Sequence, residues 1–245
     1  MRVVTLFCDP CPEPIARAMI SSVRKHMDCE IVQLTDLETP KLDEVDSVQR
    51  LKGDILSSVL ARHLSQLPGE TLYLDYDTVV QEDVSYVFKQ DFDLAITTRN
   101  EKEKDFNLLY KVCPHNVGVM FSRSPEFWAE VAKRYDKRKD EPSWFKFQIV
   151  VTESINVLNY KILELDSNKY NHTPEDIDED LSGRSIVHYK GHRKAWMVAP
   201  KDAENARLAN KRLVEMFKTH KGELSITPDH PRFIELYREE NGADN

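Results

Sequence analysis

Two carboxylates stand at positions i and i+2 where a short apolar run ends, in Thr71-Leu72-Tyr73-Leu74-Asp75-Tyr76-Asp77. Side chains alternate along a strand, so Asp75 and Asp77 are expected on one face at its end, where two hard oxygen donors can grip a divalent cation. Ligands of open α/β sheets bind beyond the carboxyl ends of the strands, and a cation there can be bridged by the oxygens of a diphosphate. The same pair also suits a solvated turn, so the assignment depends on what else the chain brings to this place.

A second chemical segment is Ile186-Val187-His188-Tyr189-Lys190-Gly191-His192-Arg193-Lys194-Ala195-Trp196. His188 offers an imidazole at a strand end, Gly191 lets backbone amides approach a ligand, and Lys194 can set a positive charge on phosphate. His63 lies on an apolar stripe and reads as a core histidine with an ordinary hydrogen bond. Cys8 and Cys11 form a lone Cys-x-x-Cys; Cys29 and Cys113 do not complete it at the spacing of a zinc site.

The elements that must position these residues alternate in type through the first two thirds of the chain, the pattern of a mostly parallel sheet covered by helices. Strands are expected at 3-8 and 30-34, flanking a helix opened by Pro12 and Pro14 with Ile15, Met19, Ile20, Val23 and Met27 on one stripe. A helix over 53-66 stops at Pro68-Gly69 before the metal strand at 71-75. Further strands are expected at 93-98, 117-122, 161-165 and 185-189. Ser124-Pro125 opens a helix bearing Phe127, Trp128, Val131 and Tyr135, and another spans 144-159. The charged segment Arg99 to Lys111 and the acidic stretch 166-184 read as loops, and amphipathic helices follow residue 200.

At 245 residues, 40% hydrophobic and 31% charged, the chain is long enough for one sizeable α/β domain. No apolar stretch approaches the roughly 20 residues of a membrane span, and Met1-Arg2 leads into a strand rather than a signal-peptide core. A net charge of -8 argues against nucleic acid as a partner. Four scattered cysteines argue against a disulfide framework and fit a reducing cytoplasm.

The array His188-x-x-Gly191-x-x-Lys194-x-Trp196, following the Asp75/Asp77 pair, resembles the family 8 glycosyltransferases, the group of glycogenin and the bacterial lipopolysaccharide galactosyltransferases. The resemblance runs from the first strand to about Trp196. It implies a GT-A α/β fold with a mixed, mostly parallel central sheet flanked by helices. Residues 1-200 would form the nucleotide-sugar-binding catalytic domain and residues 201-245 a C-terminal helical extension packed on it. It also implies metal-dependent transfer of a hexose from a UDP-sugar, with retention, to a saccharide, lipid-linked sugar or protein.

By resemblance, Asp75, Asp77 and His188 bind Mn2+ (or Mg2+), and Gly191 and Lys194 contact the diphosphate. A nitrogen ligand beside two carboxylates independently favours manganese. Ala195 stands where the family has proline. His115-Asn116-Val117-Gly118-Val119-Met120 is similar to the family's strand near the sugar, so Asn116 is expected to bond a hydroxyl and Gly118 to leave room for the ring. The family's Asp-Gln pair on the following helix has no counterpart, and Gln148 or Glu153 is the candidate for its role. Cys8, Asp9 and Pro10 fall where the family reads base and ribose. Tyr76, Arg50 and Lys52 group with the nucleotide-binding set, and Lys169-Tyr170-Asn171 resembles a Tyr-Asn element in which Asn171 positions substrate. Two alternatives stay open. One is a nucleotide-sugar binder without transfer; the other is a sugar nucleotidyltransferase, against which stands the absence of glycine from Asp9-Pro10-Cys11-Pro12.

Overall fold

The computed structural model describes residues 1–9, 11–50, 57–99, 113–138 and 146–198. Pro10, Lys52, the expected loop after Arg99 and the expected extension over 201–245 lie outside the described residues.

Strand β1 (Arg2–Leu6) is flanked by β2 (Glu30–Thr35) and β4 (Thr71–Leu74), both parallel to it. An edge strand β3 (Ser47–Arg50), which the apolar pattern does not signal, adds in parallel to β2. On the other side β7 (His115–Ser122) runs antiparallel to β4 and to β6 (Leu94–Thr98), and β8 (Ile162–Leu165) pairs in parallel with β6. The result is one seven-stranded sheet in the order β3-β2-β1-β4-β7-β6-β8, with β7 alone reversed.

Its central strands are buried on both faces, so neighbouring residues serve opposite cores. Val3, Ile31, Leu72, Ala95 and Phe121 face α1 (Glu13–His26) and a 3-10 turn (Ser85–Lys89). Val4, Val32, Tyr73, Ile96 and Met120 face α2 (Ser57–Leu64), α3 (Pro125–Lys137) and α4 (Lys146–Val157). Complete burial of a side chain such as Leu72 or Phe121 contributes about 1.5–3 kcal/mol.

Helix α1 starts at a proline pair, with Glu13 in its first turn and Arg24, Lys25 and His26 in its last, the charge order that the helix dipole favours. In α3, the Ser124 hydroxyl accepts from the Phe127 amide at 3.2 Å, and Pro125 occupies a position that has no donor to lose. The stretch expected as loop over 166–184 contains one helical turn, α5 (Ser167–Tyr170), where Asp166 accepts from the Asn168 amide. His63 is fully buried in α2, a core histidine as expected, with the Thr35 backbone beside its ring.

A small second sheet decides the site. The three-residue strand β5 (Thr78–Val80) pairs antiparallel with β9 (Ile186–His188), with Thr78 opposite His188. The Tyr189 amide donates to the Asp77 carbonyl at 2.9 Å, so the end of β9 is fastened to the turn after β4.

Candidate metal and sugar-transfer site

Strand β4 ends at Leu74, and both aspartates sit in the turn beyond it rather than in the strand expected to end on them. The amide and hydroxyl of Thr78 both donate to the Asp75 carbonyl, at 3.1 Å and 2.8 Å, which closes the turn. The Asp75 amide continues the ladder by donating to the Gly118 carbonyl at 2.9 Å. Turn closure, not strand pleating, therefore brings the two carboxylates together.

His188 Nε2 lies 3.0 Å from Asp77 Oδ1 and 3.6 Å from Asp75 Oδ2, and one donor atom of each residue falls within 4.8 Å of the others. Each carboxylate spends its other oxygen elsewhere. The Tyr73 hydroxyl donates to Asp75 Oδ1 at 2.6 Å, and Lys194 Nζ lies 2.6 Å from Asp77 Oδ2. Tyr73 stands two residues before Asp75, close enough in sequence for its hydroxyl to reach back to that carboxylate.

Burial lifts the Asp75 carboxyl above its usual range, against the pull of His188 and with the charge of Asp77 adding to it. Burial acts the same way on Asp77, but Lys194 and His188 outweigh it and hold this carboxyl far below the usual range. Burial opposes the charge on Lys194, which Asp77 more than restores, so its ammonium stays charged while mostly buried. The Tyr73 phenol is pushed well up by burial and by Asp75, and remains a donor.

Gly118 is indispensable to this packing. A Cβ built there would stand 2.3 Å from His188 Cε1 and 2.8 Å from Asp75 Oδ2. The room expected for a sugar ring is thus taken by the imidazole and carboxylate themselves. Gly191 opens the 3-10 turn Gly191–Met197 at φ 63°, a conformation glycine adopts freely, and this turn carries Lys194 back to Asp77 with its Nζ over the Tyr76 ring at 5.1 Å.

Other candidates are committed to the fold. Asn116 accepts from the Gly118 amide at 3.0 Å. Gln148 accepts from Arg99 at 2.6 Å, and Glu153 pairs with Arg138 at 3.0 Å, so the structure gives each an Arg partner instead of joining either to the Asp-Asp-His cluster. The Arg50 guanidinium donates to the carbonyls of Asp36 and Thr39 at 2.9 Å and 2.7 Å, and the Asp9 amide donates to the Thr39 hydroxyl at 3.0 Å. Cys8 and Cys11 are free buried thiols whose mutual bond pushes Cys8 up and Cys11 down. Asn171, expected to help position substrate, is buried against His188 and Thr97.

No protein-family model and no curated protein matches this sequence. Solved structures do match it in fold. The galactosyltransferase LgtC, in complex with donor and acceptor sugar analogues, is 13% identical with a TM-score of 0.55, covering 94% of this chain and 98% of that one. The apo form of the glycosyltransferase GlyE of Streptococcus pneumoniae TIGR4 is 16% identical with a TM-score of 0.57; the match covers 92% of this chain and 65% of GlyE. A glycosyltransferase involved in glycosylation of the major capsid of PBCV-1 is 14% identical with a TM-score of 0.51, covering 84% of this chain and 98% of its own. The chain shares the GT-A fold of these enzymes, as the family 8 resemblance implies.

Proposed function

We propose that this chain transfers a hexose from a UDP-sugar to an acceptor hydroxyl, with retention, using a divalent cation held by Asp75, Asp77 and His188. The observation that carries this reading is the convergence of those three side chains from two distant segments at the end of β4, within a fold shared with glycosyltransferases. Two hard oxygens with one imidazole nitrogen suit manganese better than magnesium, which favours oxygen alone. When bound, such a cation supplies Lewis-acid stabilisation of the charge on the departing diphosphate.

The protein's own groups supply the rest. Lys194 holds a positive charge at the same spot, ready to shift from Asp77 toward diphosphate oxygens as charge develops on them in an oxocarbenium-like transition state. The Gly191 turn brings backbone amides to the diphosphate, and Tyr73 keeps Asp75 oriented without adding charge. Asn116, and Gln148 or Glu153, stand as the donor-sugar contacts, with Cys8, Asp9, Tyr76 and Lys52 on the nucleotide side and Arg50 shaping the loop beside them. Residues 1–200 form the catalytic domain and 201–245 its extension in this reading. A saccharide is the acceptor class that the LgtC complex supports, with lipid-linked sugars and protein as further classes.

A second reading, a nucleotide-sugar binder without transfer, draws on Phe147-Gln148, where an aspartate is expected to face the donor sugar, and on the capture of Gln148 by Arg99. One experiment separates the two. Nucleotide sugars are screened for Mn2+-dependent consumption by the wild type, Asp75→Asn and His188→Gln, alongside calorimetry with UDP and Mn2+. Consumption by the wild type alone supports transfer, Mn2+-dependent UDP binding without consumption supports the binder, and neither result leaves the proposed site without a role.

A further inference from the structure

Resting on the reading of Asp75, Asp77 and His188 as ligands, we propose that Asn171, anchored by Thr97, is a positioning residue that sets the tautomer and ring orientation of His188. A neutral imidazole has one N–H and one lone pair, so only the nitrogen without the proton can be a ligand. Nε2 is the nitrogen that faces both carboxylates. It can offer its lone pair to a cation only if the proton sits on Nδ1, and Nδ1 then needs an acceptor.

Asn171 Oδ1 is that acceptor, 2.8 Å from Nδ1. An amide could turn over and present its NH2 group instead, which would favour the wrong tautomer. In the structure Thr97 takes the other end of the amide, Asn171 Nδ2 donating to its hydroxyl at 2.8 Å, which leaves Oδ1 turned to Nδ1. Thr97 is fully buried, and Asn171 and His188 are each 4% exposed, so water offers no substitute partner.

The backbone holds the same three parts in place. The Asn171 amide donates to the Ser167 carbonyl, the His172 amide to Ile186, and the His188 amide to His172 at 2.7 Å. Thr97 pairs with Asn116 where the β6–β7 register shifts, next to the strand that carries Gly118. The ring is therefore gripped through Nδ1 by Asn171 and bounded on another side by Gly118. A carboxylate is the commoner partner of a ligating histidine, but this site already holds two carboxylates, and an amide gives direction without a third negative charge.

The test uses the full chain and Mn2+ alone, titrated by electron paramagnetic resonance, together with 15N-histidine spectra of the protein loaded with diamagnetic Zn2+ in mildly alkaline buffer. The wild type binds Mn2+ and shows His188 with its proton on Nδ1. Asn171→Leu, close in size but without the acceptor, binds about 10–100-fold more weakly and loses the Nδ1–H signature. Asn171→Asp restores the acceptor and binds within about threefold of the wild type, and Thr97→Val weakens binding by an intermediate factor. A merely structural Asn171 would lower the unfolding temperature in Leu and Asp variants without moving the tautomer. Equal Mn2+ affinity in the wild type and Asn171→Leu overturns this inference and leaves the metal assignment standing. If Asn171→Leu fails to fold, unchanged affinity in Thr97→Val overturns it. A wild type that binds no Mn2+ overturns the metal assignment, and this inference with it.

Discussion

At the end of β4, side chains from β4, β7, β9 and the turns beyond them close on one another. Tyr73 bonds Asp75, His188 reaches both carboxylates, Lys194 pairs with Asp77, and Gly118 leaves the space in which they meet. At the β1–β2 end, Arg50, Asp36, Thr39 and Asp9 are joined mostly through backbone groups: Arg50 to two carbonyls, the Asp36 carboxylate to the Glu38 and Thr39 amides, and Thr39 to the Asp9 amide. Charges at the first end face one another through side chains, the arrangement that the proposed cation and diphosphate site would use. Charges of the same residue types at the second end are consumed in shaping a loop. A basic residue near the strand ends of such a sheet is thus not a phosphate contact until its existing partners are known.

Gly118→Ala tests this contrast most severely. The added methyl has no free volume beside His188 and Asp75, so Mn2+-dependent donor consumption should fall by about 1000-fold while the protein still folds, at an overpacking cost of about 1–3 kcal/mol. Activity within tenfold of the wild type would show that the Asp-Asp-His arrangement is not the working one.

The next effect lies in a third place and concerns pH. Burial pushes His63 down to about 4, so both folded and unfolded chains are neutral there above the ordinary histidine value of 6.5. As pH falls from 6.5 toward about 4, the unfolded chain takes up a proton that the buried ring refuses, and stability declines across that window by up to about 3 kcal/mol. Urea melts over that range should show the wild type losing stability that His63→Leu keeps; parallel curves would remove His63 as the cause.

Lys194→Gln comes next, with an expected loss of about 30–100-fold in kcat at saturating donor, because the charge acts on the departing diphosphate. A change confined to KM would make Lys194 a binding group only. It should also raise the Asp77 carboxyl toward its ordinary value, by removing its strongest attractive partner. Arg50→Ala is expected to have the smallest effect, about 1–2 kcal/mol of stability from two lost bonds to carbonyls, with kcat within a few-fold of the wild type. A kcat as low as that of Lys194→Gln would erase the contrast between the two ends.

Much of the scaffold was legible in the sequence because its helices obey the 3.6-residue period and its strands are apolar runs bounded by Pro, Gly and Asp. The stripe Ile15, Met19, Ile20 and Val23 and the cap at Ser124 are local signals with local causes. The edge strand Ser47–Arg50 was not legible, since half-buried Ser, Val, Gln and Arg carry no apolar alternation. The turn Ser167–Tyr170 was hidden inside an acidic stretch, although Asp166 is a recognisable cap. The residues of the Asp-Asp-His cluster could be named from motif and resemblance. Their supports, Tyr73, Thr97 and Gly118, could not be assigned their tasks, because nothing in linear spacing says which side chain a glycine makes room for.

The amino-acid order by itself determined which atoms are on offer: two carboxylates two residues apart, an imidazole at a strand end, a lysine past a glycine, and strands apolar enough to be buried on both faces. Only the tertiary structure decided which of those atoms meet. The pairing of β5 with β9 carries His188 to Asp77, and the turn at Thr78 converges the carboxylates. Folding also spends Arg50, Gln148 and Glu153 on internal partners. The physical reason is that a hydrogen bond or ion pair is decided by distances of a few ångströms, and those are fixed by contacts between segments far apart in the chain.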